Sequence, residues 1–305
     1  MRKRSIGKSL FTILLLQTLL LTNAAFGQMA QPDVAINDRI RKEGTENSRI
    51  MNTLHHLTDI YGPRLTGSPN LKAAGEWVVK EMTSWGFQNA ALEPWDWGRP
   101  GWVSERASGF IVSPVKDSLV FEVLAWTPGT DKAVTGTAVQ LMIPSNPTQE
   151  ELTAYFNSVQ SKIPGNMVLV GNPAKIPVSF DPPAKRIDPS ATPRPAPSPV
   201  APQARPTPKP GILSFFQIGE QLNAFLVANK AAVRIMDAGR EHGQIRAFNN
   251  RTFDIAKAVP TVVMRNEDFG RLSRLMKNGR NIELEINIVN RSYPEGSTAY
   301  NVVAE

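Results

Sequence analysis

The sequence contains no cysteine and only three histidines. The absence of cysteine excludes a disulfide framework, a thiol nucleophile and thiolate ligands for a metal. It also contains neither a Gly-x-Ser-x-Gly nucleophile elbow nor a Gly-rich phosphate-binding loop, which removes two further classes of catalytic site. Stability must therefore come from an apolar core, for which a chain with 41% hydrophobic residues has ample material.

The three histidines do not form a metal-binding pattern. His55 and His56 are adjacent on a predicted helix, so their side chains diverge by about 100° and cannot easily share one ion. His56 and Asp59 are three residues apart, and we expect them to pair locally. His242 lies in the turn-like stretch AGREHGQ without a second ligand nearby, and we expect it to be solvated.

The conspicuous acidic pair, Glu150 and Glu151, is better explained by helix capping than by acid–base catalysis. Thr148 and Glu151 have the spacing of a capping box, in which a hydroxyl and a carboxylate bind free amides at a helix start. The sequence thus supplies no catalytic residues and no metal ligands that we can identify, and the residues that bind a substrate stay unknown.

The excess of basic residues is confined to two segments of the sequence. The net charge is +7, but four of these charges fall in the first eight residues and three in residues 181–211. The rest of the chain is neutral, so a basic face for nucleic acid is not expected.

The N-terminus has the layout of a secretory signal peptide. A basic stretch, MRKRSIGKS, precedes an apolar run of 13 residues, LFTILLLQTLLLT, and small residues before Gln28. A transmembrane helix needs about 20 residues, and no cysteine follows for a lipid anchor. We expect residues 1–27 to be removed and the protein to be periplasmic or secreted, without a stable membrane anchor.

Periodicity predicts two helices at the start of the mature chain. One covers SRIMNTLHHLTDIYG, and the other begins after Ser68 as N-cap with Pro69 at its first position and ends at Gly86. Arg64, in the turn between them, either binds an anion or contacts helix C-terminal carbonyls. The stretch EPWDWGRPGW is expected to be a loop. Its Trp95, Trp97 and Trp102 either pack against the core or stack on a ligand, and packing is favoured.

From about residue 127, short strands alternate with helices, which is typical of an α/β fold. Asn266 is expected to cap the helix EDFGRLSRLMKNG, and residues 282–288 alternate as a strand with one buried face. Between these elements, 11 of the 29 residues from Pro182 to Pro210 are proline, so we expect residues 182–210 to be a disordered surface insertion.

Two stretches resemble a known family. LTDIYGPRLTGSPNLKAAGEWVVKEMTSWGF with EPWDWGRPGW resembles the opening segment of co-catalytic zinc exopeptidases, in the branch of plasma glutamate carboxypeptidase (carboxypeptidase Q). The later stretches, including GNMVLVGNP, VPTVVMRNEDFGRLSRLMKNG and IELEINIVN, resemble the protease-associated domain inserted in that branch.

The resemblance implies a domain organisation. Residues 28–126 would form the N-terminal part of a peptidase domain, 127–292 an inserted protease-associated domain, and 293–305 a strand returning to the peptidase sheet. The implied fold is an incomplete zinc-exopeptidase α/β sheet domain with an inserted α/β domain, and the implied partners are a peptide substrate and a second copy in a homodimer.

The resemblance also implies that the catalytic residues lie outside these 305 residues. The family binds two zinc ions through a His-x-Asp motif, a Glu-Glu pair and further ligands that follow the returning strand, and no His-x-Asp occurs here. We therefore expect this chain to hold no zinc. Two hypotheses follow: the N-terminal portion of an exported zinc exopeptidase that hydrolyses short peptides, or a non-catalytic exported binding module built on the protease-associated domain.

Overall fold

The computed structural model describes residues 33–177 and 211–305. The predicted signal peptide and the proline-rich segment 182–210 lie outside these residues. The described chain belongs to two compact units, one ending at Gly62 and one spanning Pro63–Glu305. Together they contain helices and a mixed sheet, so the predicted α/β class is confirmed.

The first unit is helical. Helix α1 covers Val34–Glu46 and begins at Asp33, whose side chain accepts a hydrogen bond from the Ile36 amide at 3.1 Å. Helix α2 covers Ile50–His55 and continues into a π-helical turn at His56–Ile60. The predicted helix is therefore present, with a wider last turn. No described residue of these helices is buried.

The second unit begins with a helix packed on a two-stranded sheet. Helix α3 covers Pro69–Ser84, and its predicted cap is confirmed because Ser68 Oγ accepts from the Leu71 amide at 3.2 Å. The helix packs against antiparallel strands β1 (Ala91–Asp96) and β10 (Thr298–Val303). Gly75 permits this close approach, since a Cβ there would lie 2.9 Å from Leu92 Cδ2.

The remaining strands form one eight-stranded sheet. In chain order they are β2 (Gly101–Ser113), β3 (Asp117–Ser118), β4 (Phe121–Val123), β5 (Val134–Leu141), β6 (Met167–Val170), β7 (Val233–Asp237), β8 (Thr261–Met264) and β9 (Glu283–Tyr293). Their order across the sheet is β3-β2-β9-β5-β6-β7-β8-β4. Strands β5 to β8 are parallel, whereas β9 runs antiparallel to both of its neighbours.

Helices cover both faces of this sheet. Helices α4 (Gln149–Val159) and α5 (Phe215–Ala228) bury side chains in a cluster with Val168, whereas α6 (Asn266–Lys277) packs with Met167 and Leu169. Consecutive residues of β6 thus point to opposite faces, as expected for a strand covered on both sides. The predicted alternation in β9 is confirmed, because Ile282, Leu284, Ile286 and Ile288 are fully buried.

Two local predictions were wrong. Most of EPWDWGRPGW is not a loop, because Glu93–Asp96 belong to β1 and Gly101 already starts β2. Asn266 is the first residue of α6 rather than its cap. Its side chain instead donates to Ala174 O at 3.1 Å and Asp237 Oδ2 at 3.0 Å, so a contact between distant segments replaces the local cap.

The large sheet crosses the predicted domain boundary. Strands β2, β3 and β4 precede residue 127 but share a sheet with strands from residues 127–292. The predicted domain limits stay a prediction.

Among residues 33–177 and 211–305, no helix has the length and hydropathy needed to cross a membrane.

Candidate functional site

Five aromatic side chains meet where β1 leads into β2, and we call them the aromatic cluster: Trp95, Trp97, Trp102, Trp126 and Phe253. The Trp97 and Phe253 ring centroids are 5.4 Å apart in an edge-to-face arrangement, and those of Trp126 and Phe253 are 4.9 Å apart. Trp102 stacks on Trp126 at 6.4 Å. These separations are those of favourable aromatic pairs.

The predicted packing role of the tryptophans is found for two of the three. Trp102 is 4% exposed and donates its indole N–H to Thr127 O at 3.1 Å. Trp97 is half-buried, and its enclosed Nε1 has no hydrogen-bond partner among the residues that the structure describes. Trp95 remains 39% exposed, with its ring edge-to-face to Trp97 at 6.0 Å. A ligand can therefore reach Trp95 but not the Trp97 nitrogen.

Arg99 lies over two rings of the aromatic cluster. Its guanidinium carbon lies 4.3 Å from the Phe253 ring centroid and 5.4 Å from that of Trp97. An arginine over two ring faces gains cation–π attraction while keeping its donors available to water. Sequence reasoning did not single out Arg99, although it lies between Trp97 and Trp102. It also missed Trp126 and Phe253, and Phe253 joins the group from a loop more than 120 residues away in the chain.

Three glycines hold the connection between the small and large sheets. Gly67, before α3, packs against Gly101 at the start of β2 and Gly296 in the 3₁₀ turn before β10. A Cβ on any of the three would overlap backbone atoms of another. Beside this glycine junction lies a cavity of about 210 Å³, lined in part by Ser68, Lys72, Tyr293 and Tyr300.

A larger, open cavity of about 640 Å³ lies next to helix α6. It is lined by Asn266, Gly270, Arg274 and Lys277 of the helix and by residues 172–175 after β6. Asn266 and residues 172–175 follow the carboxyl ends of the parallel strands β8 and β6, the edge at which ligands commonly bind in open α/β sheets. Arg274 and Lys277 give the cavity cationic donors for an anionic group.

The histidines are placed differently from one prediction. His55, not His56, pairs with Asp59, with His55 Nδ1 at 2.8 Å from Asp59 Oδ2. This spacing of four residues brings side chains together on a helix, and the hydrogen bond from His55 lowers the pKa of Asp59. His56 Nδ1 lies 3.0 Å from Asn52 O, which competes with any role as a ligand.

The remaining candidates occupy ordinary positions. Glu151 forms the predicted capping box, in which its carboxylate accepts from the Thr148 amide at 2.9 Å. His242 is exposed at φ +56° beside Glu241. Arg64 is exposed in the turn before α3, and its predicted anion or carbonyl contact stays a prediction.

The donor groups of the described residues do not fit a pair of zinc ions. A co-catalytic site needs several imidazole and carboxylate ligands around metals about 4 Å apart. Among residues 33–177 and 211–305, no three His, Asp or Glu side chains are grouped closely enough to hold even one ion. The whole sequence has only three histidines, and we derive no catalytic step through zinc in this chain.

No family model matches the sequence, and neither does any curated protein. Solved structures do match its fold. A peptidase M28 precursor from Shewanella amazonensis aligns with a TM-score of 0.50 at 16% identity, over 88% of this chain and 53% of its own length.

Two further structures align with lower scores. An aminopeptidase from Aneurinibacillus sp. has a TM-score of 0.42 at 15% identity, over 86% of this chain and 48% of its own. A zinc aminopeptidase from Bacillus subtilis has a TM-score of 0.45 at 11% identity, over 83% and 45%. The chain thus spans about half the length of these structures, and the Shewanella comparison shows that it shares the α/β fold of part of a peptidase M28 precursor.

Proposed function

We propose that this chain is the N-terminal portion of an exported zinc-dependent exopeptidase that hydrolyses short peptides. In this proposal residues 1–27 direct export, and residues 127–292 form a protease-associated domain of the carboxypeptidase Q branch. The two zinc ions are held by residues that these 305 positions do not include, and the intact enzyme pairs as a homodimer.

The observation that carries the proposal is the alignment of 88% of this chain with 53% of the peptidase M28 precursor. Support also comes from the Gly-Pro-Arg-x-x-Gly-Ser order of residues 62–68, which resembles the family's opening segment. Ser68 caps α3 and Gly67 lies in the glycine junction, so two residues of this motif have structural roles in the fold.

The experiment begins with the gene. We expect the reading frame to continue beyond codon 305 into a segment that contains His-x-Asp. The extended protein, loaded with zinc, is then assayed against dipeptides and compared with a variant in which that histidine is replaced by alanine. We expect turnover that requires both the metal and the histidine.

The 305-residue chain serves as the matched control. Metal analysis should find no stoichiometric zinc in it, and no dipeptide should be cleaved. One zinc per chain with turnover would contradict our interpretation of the ligands. A stop after codon 305 with a stable secreted product would instead favour the non-catalytic binding module.

A further inference from the structure

Three exposed phenylalanines, each with an arginine over its ring, form a region of two groups that residues 246–251 connect, and the proposed peptidase function does not use this region. We call it the Phe–Arg patch: Phe215, Phe216, Phe248, Arg246 and Arg251. The three phenylalanines are 78%, 60% and 63% exposed. Each exposed ring costs free energy in water, and a group of them commonly marks an interaction surface.

The arginines lie directly on these rings. The Arg251 guanidinium carbon is 4.1 Å from the Phe216 ring centroid and 5.9 Å from that of Phe215. The Arg246 guanidinium carbon is 4.6 Å from the Phe248 ring centroid. Within each of the two groups, cationic and apolar side chains are therefore in contact instead of occupying separate regions.

The main chain that carries the patch is firmly held. Asn250 is 3% exposed, and its side chain donates to Trp126 O at 3.2 Å and Asp254 O at 2.9 Å. The Asn250 amide donates to Ala125 O at 2.8 Å, and the Ala125 amide donates to Phe248 O at 3.1 Å. On the other side, Phe215 and Phe216 open helix α5, whose start is fixed by the capping box of Ser214 and Gln217. The patch is thus held ready for a partner, which reduces the entropy lost on binding.

The charges of the patch are not neutralised within the described protein. None of the ion pairs among residues 33–177 and 211–305 involves Arg246 or Arg251. Basic and acidic residues balance over the described part of the chain as a whole, so the unpaired arginines beside exposed rings are a local feature. The surface that complements them must carry negative charge.

We propose that the Phe–Arg patch binds reversibly to the surface of an anionic phospholipid bilayer. The rings would enter the boundary between headgroups and acyl chains, and the arginines would contact lipid phosphates. Rings that are more than half exposed project from the protein, and a bilayer accepts projecting rings without the matching pockets that a protein partner must supply. The proposal is independent of the proposed peptidase activity.

The test is vesicle co-sedimentation of the chain from Gln28 to Glu305, the form expected after export. Vesicles contain phosphatidylglycerol and phosphatidylcholine, or phosphatidylcholine alone, and each is measured at low and high salt. We expect binding to the anionic vesicles that weakens with salt. Residues 1–27 are left out because this basic and apolar segment would itself bind anionic vesicles.

Two variants separate the contributions of charge and ring. R246Q/R251Q should bind anionic vesicles about 30-fold more weakly, because each basic residue near such a surface contributes roughly a factor of five. F215S/F216S/F248S should lose about 100-fold, because three rings no longer leave water. The charge-matched control K80Q/R280Q alters two exposed residues outside the Phe–Arg patch and outside the cavity beside α6, and should bind like the unmodified chain.

Circular dichroism and urea midpoints establish that each variant is folded. Equal vesicle binding by the unmodified chain and both patch variants would overturn the proposal. Salt-independent binding to phosphatidylcholine alone would overturn its electrostatic part. If sedimentation without vesicles shows a dimer that only the patch variants lose, the patch is an interface between two copies and the bilayer proposal is wrong.

Discussion

Gly101 lies so close to Gly67 that a Cβ atom on Gly101 would overlap the Gly67 carbonyl oxygen. Gly296 makes an equally close approach to the same carbonyl. Three chain segments that are distant in sequence thus pass through a space that only glycines can share. The contact joins the start of α3, the start of β2 and the turn before β10, which connects the small sheet with the large one.

Replacing Gly101 with alanine should destabilise the protein strongly. The new methyl group meets backbone atoms that cannot move independently. We therefore expect a loss of about 3 kcal/mol in the free energy of unfolding, which is the upper end of the usual cost of adding atoms to a closely packed site. Urea denaturation followed by tryptophan fluorescence measures it.

Gly219 provides the matched control for that substitution. It lies inside α5, and a Cβ there would have no atom of residues 33–177 or 211–305 within 4 Å. Alanine at this position should raise stability by about 0.5–1 kcal/mol, because it favours the helix. A Gly101→Ala protein as stable as Gly219→Ala would show that the glycine junction is not closely packed.

Arg234 should be a destabilising residue near neutral pH. Its Nη1 donates to Asn223 Oδ1 at 2.6 Å, but its Nε is enclosed without a partner in the described part of the chain. Although the residue as a whole is only half-buried, burial of the guanidinium lowers the pKa of Arg234 to about 10. Arg234→Met should therefore be more stable at pH 7 by about 1–3 kcal/mol.

The sign of the pH dependence follows from this lowered pKa. A cation whose pKa falls on folding destabilises the folded state below its folded pKa, and the penalty diminishes as pH rises through that value. The advantage of Arg234→Met should thus be full at pH 7 and smaller above about pH 10. Arg234→Lys, which keeps a charge, is the control, and a less stable methionine variant would contradict the prediction.

Local signals in the sequence predicted the ends of several helices correctly. Ser68 and Thr148 cap helices as their spacing indicates, because a cap depends on residues within one turn. The prediction failed for Asn266, whose side chain binds Ala174 and Asp237 instead. A partner 92 residues away leaves no local pattern in the sequence.

The same reason explains the tryptophan stretch and the aromatic cluster. Trp95 lies in a strand because β1 pairs with β10, about 200 residues later, where Trp95 is opposite Ala299. The local glycines and prolines favoured a loop, and tertiary pairing overrode them. Phe253 reaches Trp126 and Arg99 through a loop whose course only the folded chain reveals.

Asp268 should be among the polar residues that contribute most to stability. It is 4% exposed and accepts two hydrogen bonds from Arg265, at 2.7 and 3.0 Å, and one from the Val120 amide at 2.9 Å. Asp268→Ala leaves a partly buried guanidinium and a main-chain amide without their acceptor. We expect a loss of about 3–5 kcal/mol, measured by urea denaturation. Asp38→Ala, in an exposed pair with Arg41, should lose less than about 1 kcal/mol, and equal losses would contradict the assigned role of burial.

The ion pair between Asp117 and Arg271 should make the free energy of unfolding depend on pH in the acidic range. The hydrogen bond from Arg271 and one from the Ser118 amide lower the pKa of Asp117. A carboxylate whose pKa falls on folding stabilises the protein above its unfolded value, and that contribution is lost as pH falls through the folded pKa. Asp117→Asn should therefore lower the urea midpoint slightly at pH 7 and not at all at a pH well below the lowered pKa of Asp117. Arg271→Gln should show the same pH profile, and the double variant should be no less stable than either single one. A difference from the unmodified protein that persists in strong acid would show that Asp117 acts through packing and not through its charge.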